Sequence, residues 1–125
     1  MKKIDLHIHT IPTVSDNLFS FDLNSLKDYV EKLNIDCIAI TNHNLFDKGQ
    51  FEQICRELSI KVFPGIEINL EGGHILLISE NEELEDFSLK CQNITSSIRN
   101  NEDYITYEQL IGFFPVLGKY LLIPH

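Results

Sequence analysis

Apolar and polar positions alternate from Lys3 to His9, with Ile4, Leu6 and Ile8 on one face and Asp5, His7 and His9 on the other. That period of two predicts a strand with one functional face. Leu23, Leu26, Val30 and Leu33 then recur at helical spacing behind Asp22, a good N-cap, and Cys37 to Ile40 forms a continuously apolar run suited to a buried strand. The cycle repeats. Phe51, Ile54, Cys55 and Leu58 predict a second helix, and Lys61 to Phe63 leads through Pro64-Gly65 into another strand. From Ile66 to Leu70, Glu67 and Asn69 alternate with aliphatics before the Gly72-Gly73 turn and the run His74 to Ile78, which together predict a hairpin. Leu84, Phe87, Cys91, Ile94 and Ile98 predict a third helix. Thr106 and Gln109 form a capping box for a fourth, ended by Pro115, and Tyr120 to Ile123 is a last strand reaching Pro124-His125. Strands alternating with helices imply parallel β/α architecture.

The chain of 125 residues, 43% hydrophobic and 10% aromatic, is enough for one globular domain with its own core. No repeat, low-complexity tract or linker divides it. Ten basic residues against 19 acidic ones give a net charge of −9, which argues against charge-driven nucleic-acid binding. An anionic substrate stays compatible if bound cations reverse the local sign. Cys37, Cys55 and Cys91 are odd in number, far apart and set in apolar patterns, so they read as reduced core residues. No signal-peptide or membrane-length apolar run is present, and a cytoplasmic location with no membrane association is expected.

The candidate chemistry lies at predicted strand ends and turns, where parallel β/α folds carry their sites. His7 and His9, two apart on a strand, can face one ion, with Asp5 behind them as a hydrogen-bond acceptor. His43 follows the buried strand directly in Thr41-Asn42-His43-Asn44. Glu67 sits on the polar side of an otherwise aliphatic strand, where a carboxylate needs a partner, either cations or a Lys or Arg. His74 opens its strand after the double glycine, and His125 closes the last one. Taken alone, His7 and His9 read as surface histidines of an edge strand, His43 as a loop cap, and His74 and His125 as core or turn residues; the set points to a metal site.

These residues resemble the polymerase and histidinol phosphatase (PHP) domain family. Asp5-Leu6-His7-Ile8-His9-Thr10 is similar to its first motif, Thr41-Asn42-His43-Asn44 to its second, Pro64-Gly65-Ile66-Glu67-Ile68 with Gly73-His74 to its third, and Ile123-Pro124-His125 to its fourth. The resemblance implies a distorted (β/α)7 TIM-like barrel holding up to three divalent metals, manganese, iron or zinc, at its strand ends. It implies that His7 and His9 bind one metal, that Glu67 bridges two, and that His43, His74 and His125 complete the neighbouring sites. Asp16 is a further candidate ligand, and Glu67 and His43 are the expected catalytic residues.

The implied activity is phosphate-ester hydrolysis by a metal-bridged hydroxide, on a phosphorylated small molecule or a nucleic-acid end. Two other readings are a degenerate metal-binding or regulatory module joined to a larger partner domain, and a C–N hydrolase of the amidohydrolase type, which also begins with HxH on a first barrel strand. Asn42 stands where the second motif commonly has Asp, and loss of that charge is expected to lower metal affinity or shift metal preference. The chain ends on a strand tip after about half of the roughly 250 residues of a closed barrel. Residues 1–125 are therefore expected to be a partial domain, lacking its C-terminal part and a late Asp-x-His motif.

Overall fold

The alternation that begins at the N-terminus folds as strand β1, Ile4–Ile8, in the computed structural model, which describes residues 1–13 and 20–125. Asp22 caps helix α1, Leu23–Lys32, by accepting the Asn24 amide, and the apolar run forms β2, Cys37–Ile40. Asp47 caps α2, Lys48–Glu57, through the Gln50 amide. Strand β3, Lys61–Leu70, and β4, Gly73–Ser79, make the hairpin, followed by α3, Leu84–Ser97. The capping box of Thr106 and Gln109 opens α4, Tyr107–Phe113, and β5 spans Tyr120–Pro124.

The strands form one sheet in chain order; β1, β2 and β3 run parallel, β4 is antiparallel to β3, and β5 is antiparallel to β4. The result is a mixed α/β fold on a curled, half-barrel sheet. Sheet residues Ile38, Ile40, Val62, Ile66, Ile68 and Leu77 pack against Leu26 and Val30 of α1, Phe51 and Ile54 of α2, Phe87, Cys91 and Ile94 of α3, and Leu110 of α4. An open cavity of about 440 Å³, lined by Ile4, Leu6, Cys37, Phe63 and Leu121 among others, lies at the end where the parallel strands begin. At that end Tyr120 donates to Glu82 Oε2 (2.7 Å) and accepts from Lys90 (3.1 Å); burial first, then Glu82, pushes its hydroxyl up to about 12.

Three expectations change. Pro64-Gly65 does not divide two strands, because Pro64 precedes the first β3 residue paired with β4, Gly65 opposite Ile78, so its missing N–H breaks no bond of that ladder. A Cβ at Gly65 would meet Thr41 Cγ2 at 2.9 Å and the carbonyls of Ile40 and Leu77 at 3.1 Å, so the glycine lets three strands close up at this level. Cys37, Cys55 and Cys91 are all free thiols, but only Cys91 is buried; Cys55 is on the exposed flank of α2. The alternation of β1 is also interrupted. Ile4 pairs with Cys37 and Asp5 with Ile38, but the next aligned pair is Ile8 with Ile40, so β1 uses three steps where β2 uses two. Leu6 faces the cavity, whereas Ile8 packs on the helix-side core.

Candidate metal centre

Glu67 is the hub. It is 1% exposed, and its neighbours carry it there: Glu67 N donates to Asn42 O (2.9 Å) and Asn44 N donates to Glu67 O (2.7 Å), so His43 bridges to Glu67 as a continuation of the β2–β3 ladder. Asn44 makes this turn in the left-handed region, φ 54°, and its Oδ1 accepts the Asn69 amide at 2.8 Å.

Around the carboxylate, His7 Nε2 lies 2.7 Å and His9 Nε2 2.9 Å from Oε1, and His74 Nδ1 lies 2.8 Å and His43 Nδ1 3.8 Å from Oε2. The ring of His125 is 4.3 Å from that of His7, and the ring of His43 is 4.5 Å from that of His9. Two sets of ligand-type atoms each fall within 4.8 Å of one another: His7, Glu67 and His125, and His9, His43 and Glu67. Among the described residues, the ion-pair partners of Glu67 are all imidazoles, not Lys or Arg.

Burial raises the Glu67 pKa, but the hydrogen bonds of His9, His7 and His74, with His43 nearby, outweigh it and hold the carboxyl well below the usual carboxylate range. A depressed folded pKa contributes stability that is present above the free value of 4.5 and is lost as pH falls below it.

The fold therefore brings His7, His9, His43, Glu67, His74 and His125 together at the ends of β1, β2, β3 and β5 and the start of β4. Asp16 lies outside the described residues. Asp5 does not stand behind the imidazoles as expected. Its Oδ1 accepts the His7 backbone amide at 3.0 Å and its Oδ2 accepts the Tyr29 hydroxyl at 2.5 Å.

Asn42 is 2% exposed and faces the β1 exit. Its Oδ1 accepts the amides of Thr10 (2.6 Å) and Ile11 (3.0 Å), and its Nδ2 donates to Thr10 Oγ1 (3.0 Å). Thr10 Oγ1 in turn donates to Gln50 Oε1 (2.6 Å), and Gln50 Nε2 donates to Thr10 O (2.8 Å). Asn42 thus ties the segment after His9 to the segment before His43. Nothing in the motif pattern singled out Thr10 or Gln50 for this; Gln50 looks like an ordinary polar position on a helix. Asn42→Ala leaves buried donors without acceptors and is expected to cost about 1–3 kcal/mol in urea unfolding. Asn42→Asp keeps both amide acceptors and should cost less; equal losses would contradict this account.

A half-barrel with one buried carboxylate ringed by imidazoles defines a class of β/α domain equipped to hold cations. The chain belongs to the PHP domain family, whose model matches residues 5–114; His125 lies just beyond the matched span. In fold it is similar to a crystal structure of a proposed metal-dependent phosphoesterase from Bifidobacterium adolescentis, at 22% sequence identity and a TM-score of 0.53. That likeness covers 77% of this chain and 34% of the other, so the chain spans about a third of that protein's length. A search of curated proteins gave no significant match. Among the described residues, no helix is long and apolar enough to cross a membrane.

Proposed function

We propose that this chain is part of a metal-dependent phosphoesterase, a partial domain of a distorted (β/α)7 barrel, and that the full-length protein hydrolyses a phosphate ester. The observation that carries the proposal is Glu67, one buried carboxylate shared by two imidazole groups. The donor set fits. Imidazole nitrogens and a carboxylate suit zinc, iron or manganese, and a carboxylate whose ion-pair partners among the described residues are imidazoles has its charge offset best by cations. His7 and His125 with Glu67 would hold one ion, and His9 and His43 with Glu67 a second. His74, more exposed and on Oε2, would orient the carboxylate or serve a third ion.

Divalent cations bound there would polarise a phosphoryl oxygen and lower the pKa of a bound water. The protein's part is positional. Glu67 keeps the two groups at a fixed separation, Asn42 and Asn44 hold the loop that carries His43, and the exposed rims at His74 and His125 leave the substrate side open. Anionic substrate attraction then falls to the cations in a chain of net charge −9. The substrate class in view is a phosphorylated small molecule or a nucleic-acid end.

The test is manganese-dependent hydrolysis of a generic phosphomonoester by the full-length protein, beside His9→Ala and a chelated control. Because loss of an outer partner alone costs 10–100-fold at metal sites, removal of His9 should cost more than about 100-fold. No metal-dependent turnover, or a His9→Ala rate equal to wild type, refutes the proposal.

A further inference from the structure

We infer that Asp5 is a positioning residue of the histidine–glutamate centre: its carboxylate caps a β-bulge that turns His7 toward Glu67, and Tyr29 braces it from α1. The bulge follows from the register, since β1 spends one more residue than β2 between the Asp5–Ile38 and Ile8–Ile40 pairs. Both ends of that stretch are fixed. Upstream, Lys3 N donates to Asp36 Oδ2 (2.7 Å) and Asp36 N to Lys3 O (2.7 Å); downstream, Thr41 N donates to Ile8 O (2.8 Å) and Asn42 holds Thr10. The extra residue is trapped between the two anchors.

A bulge reverses the faces. Asp5 meets Tyr29 of α1, whereas His7, two residues on, meets Glu67; Leu6 lines the cavity, whereas Ile8 packs on the helix side. A regular strand would put Asp5 and His7 on one side, and Leu6 and Ile8 on the other. A bulged residue's amide falls out of the ladder and needs a partner, which Asp5 Oδ1 supplies at 3.0 Å. Tyr29 donates its hydroxyl to the other oxygen at 2.5 Å, the length of a charge-assisted bond, and this fixes the carboxylate's orientation. That bond, then burial and the Asp5 charge, raises the Tyr29 pKa and keeps the phenol a donor. With Tyr29 37% exposed, little of its ring is needed for the core.

His9 Nε2 lies 3.1 Å from His7 Nε2, but the His9 backbone is held from its far side by the Thr10–Asn42 bonds, so loss of the Asp5 cap should disturb His7 more than His9. The group His7, Glu67 and His125 should suffer more than the group His9, His43 and Glu67. The metal part of the test rests on the proposed function; the backbone part does not. Asp5→Ala, Asp5→Asn and Tyr29→Phe are compared with wild type by hydrogen exchange at the His7 amide and by calorimetric titration with Mn²⁺. Asn preserves the acceptor for the His7 amide and serves as the rescue variant.

The expected result is His7 amide exchange at least about tenfold faster in Asp5→Ala and near wild type in Asp5→Asn, with Tyr29→Phe between them. One of the two Mn²⁺ ions should bind about 10–100-fold more weakly in Asp5→Ala while the other changes less. His7 exchange unaltered in Asp5→Ala, or Ala and Asn behaving alike, overturns the inference. Absence of Mn²⁺ binding by wild type overturns the function instead, and the exchange measurement still decides the role of Asp5.

Discussion

Glu67→Gln should abolish occupancy of both cation groups together, weakening each by more than about 100-fold, which is about 2.8 kcal/mol. The reason is geometric. One carboxylate belongs to both sets, Oε1 against His7 and His9 and Oε2 against His74 and His43, so no variant of a single histidine should have the same double effect. Gln keeps the volume and one acceptor but brings an N–H₂ to a place where cations require negative charge and imidazole N–H groups require an acceptor. His125→Ala, by contrast, should weaken only the group it shares with His7. Metal titration of wild type and the two variants checks this, and a Glu67→Gln protein that retains either ion at wild-type affinity would contradict it.

The second large effect is on stability. Phe87 is fully buried and its ring packs 5.0 Å from Phe46, 6.4 Å from Phe114 and 6.4 Å from Tyr120, joining α3 to the loop after β2, the end of α4 and the start of β5. Phe87→Ala removes that shared contact and leaves a cavity that rigid neighbours cannot fill, at a cost of about 3–5 kcal/mol. Against a typical total of about 5–15 kcal/mol, this is enough to bring a domain near the edge of folding. Urea denaturation followed by circular dichroism should show the midpoint fall sharply; a loss below about 1 kcal/mol would mean that the aromatic cluster is not the core of the helix layer.

Much of the fold is legible because its signals are local. Asp22 before a helical stripe, the Gly72-Gly73 turn between two strand-like runs, and the Thr106/Gln109 box each act within a few residues, and each forms where the pattern puts it. The bulge in β1 is hidden for the opposite reason. An uninterrupted alternation of apolar and polar residues fits a regular strand and a bulged one equally, because here both the cavity and the helix layer accept apolar side chains. Only pairing with β2 decides. Pro64-Gly65 misleads in the same manner, since whether a proline breaks a strand depends on which neighbour its missing N–H would have faced.

Convergence of the histidines and Glu67 was readable as strand-end placement, while its supports were not. Asn42 and Asn44 accept backbone amides, and Thr10 and Gln50 pair through hydroxyl, side-chain amide and carbonyl groups, all between segments distant in sequence, and no spacing rule reaches across them. Asn42 occupies a position where a charge was expected to steady the cluster; its amide instead spends both polar atoms on Thr10 and Ile11.

The central claim is that His7, His9, His43, Glu67, His74 and His125 form one pocket for cations with Glu67 common to two of them. The most direct measurement is anomalous diffraction at the manganese edge from Mn²⁺-soaked crystals of the protein. Two peaks are predicted, one among His7, Glu67 and His125 and one among His9, His43 and Glu67, both in bonding contact with the Glu67 carboxylate. Peaks remote from Glu67, or none at all under saturating Mn²⁺, would contradict it.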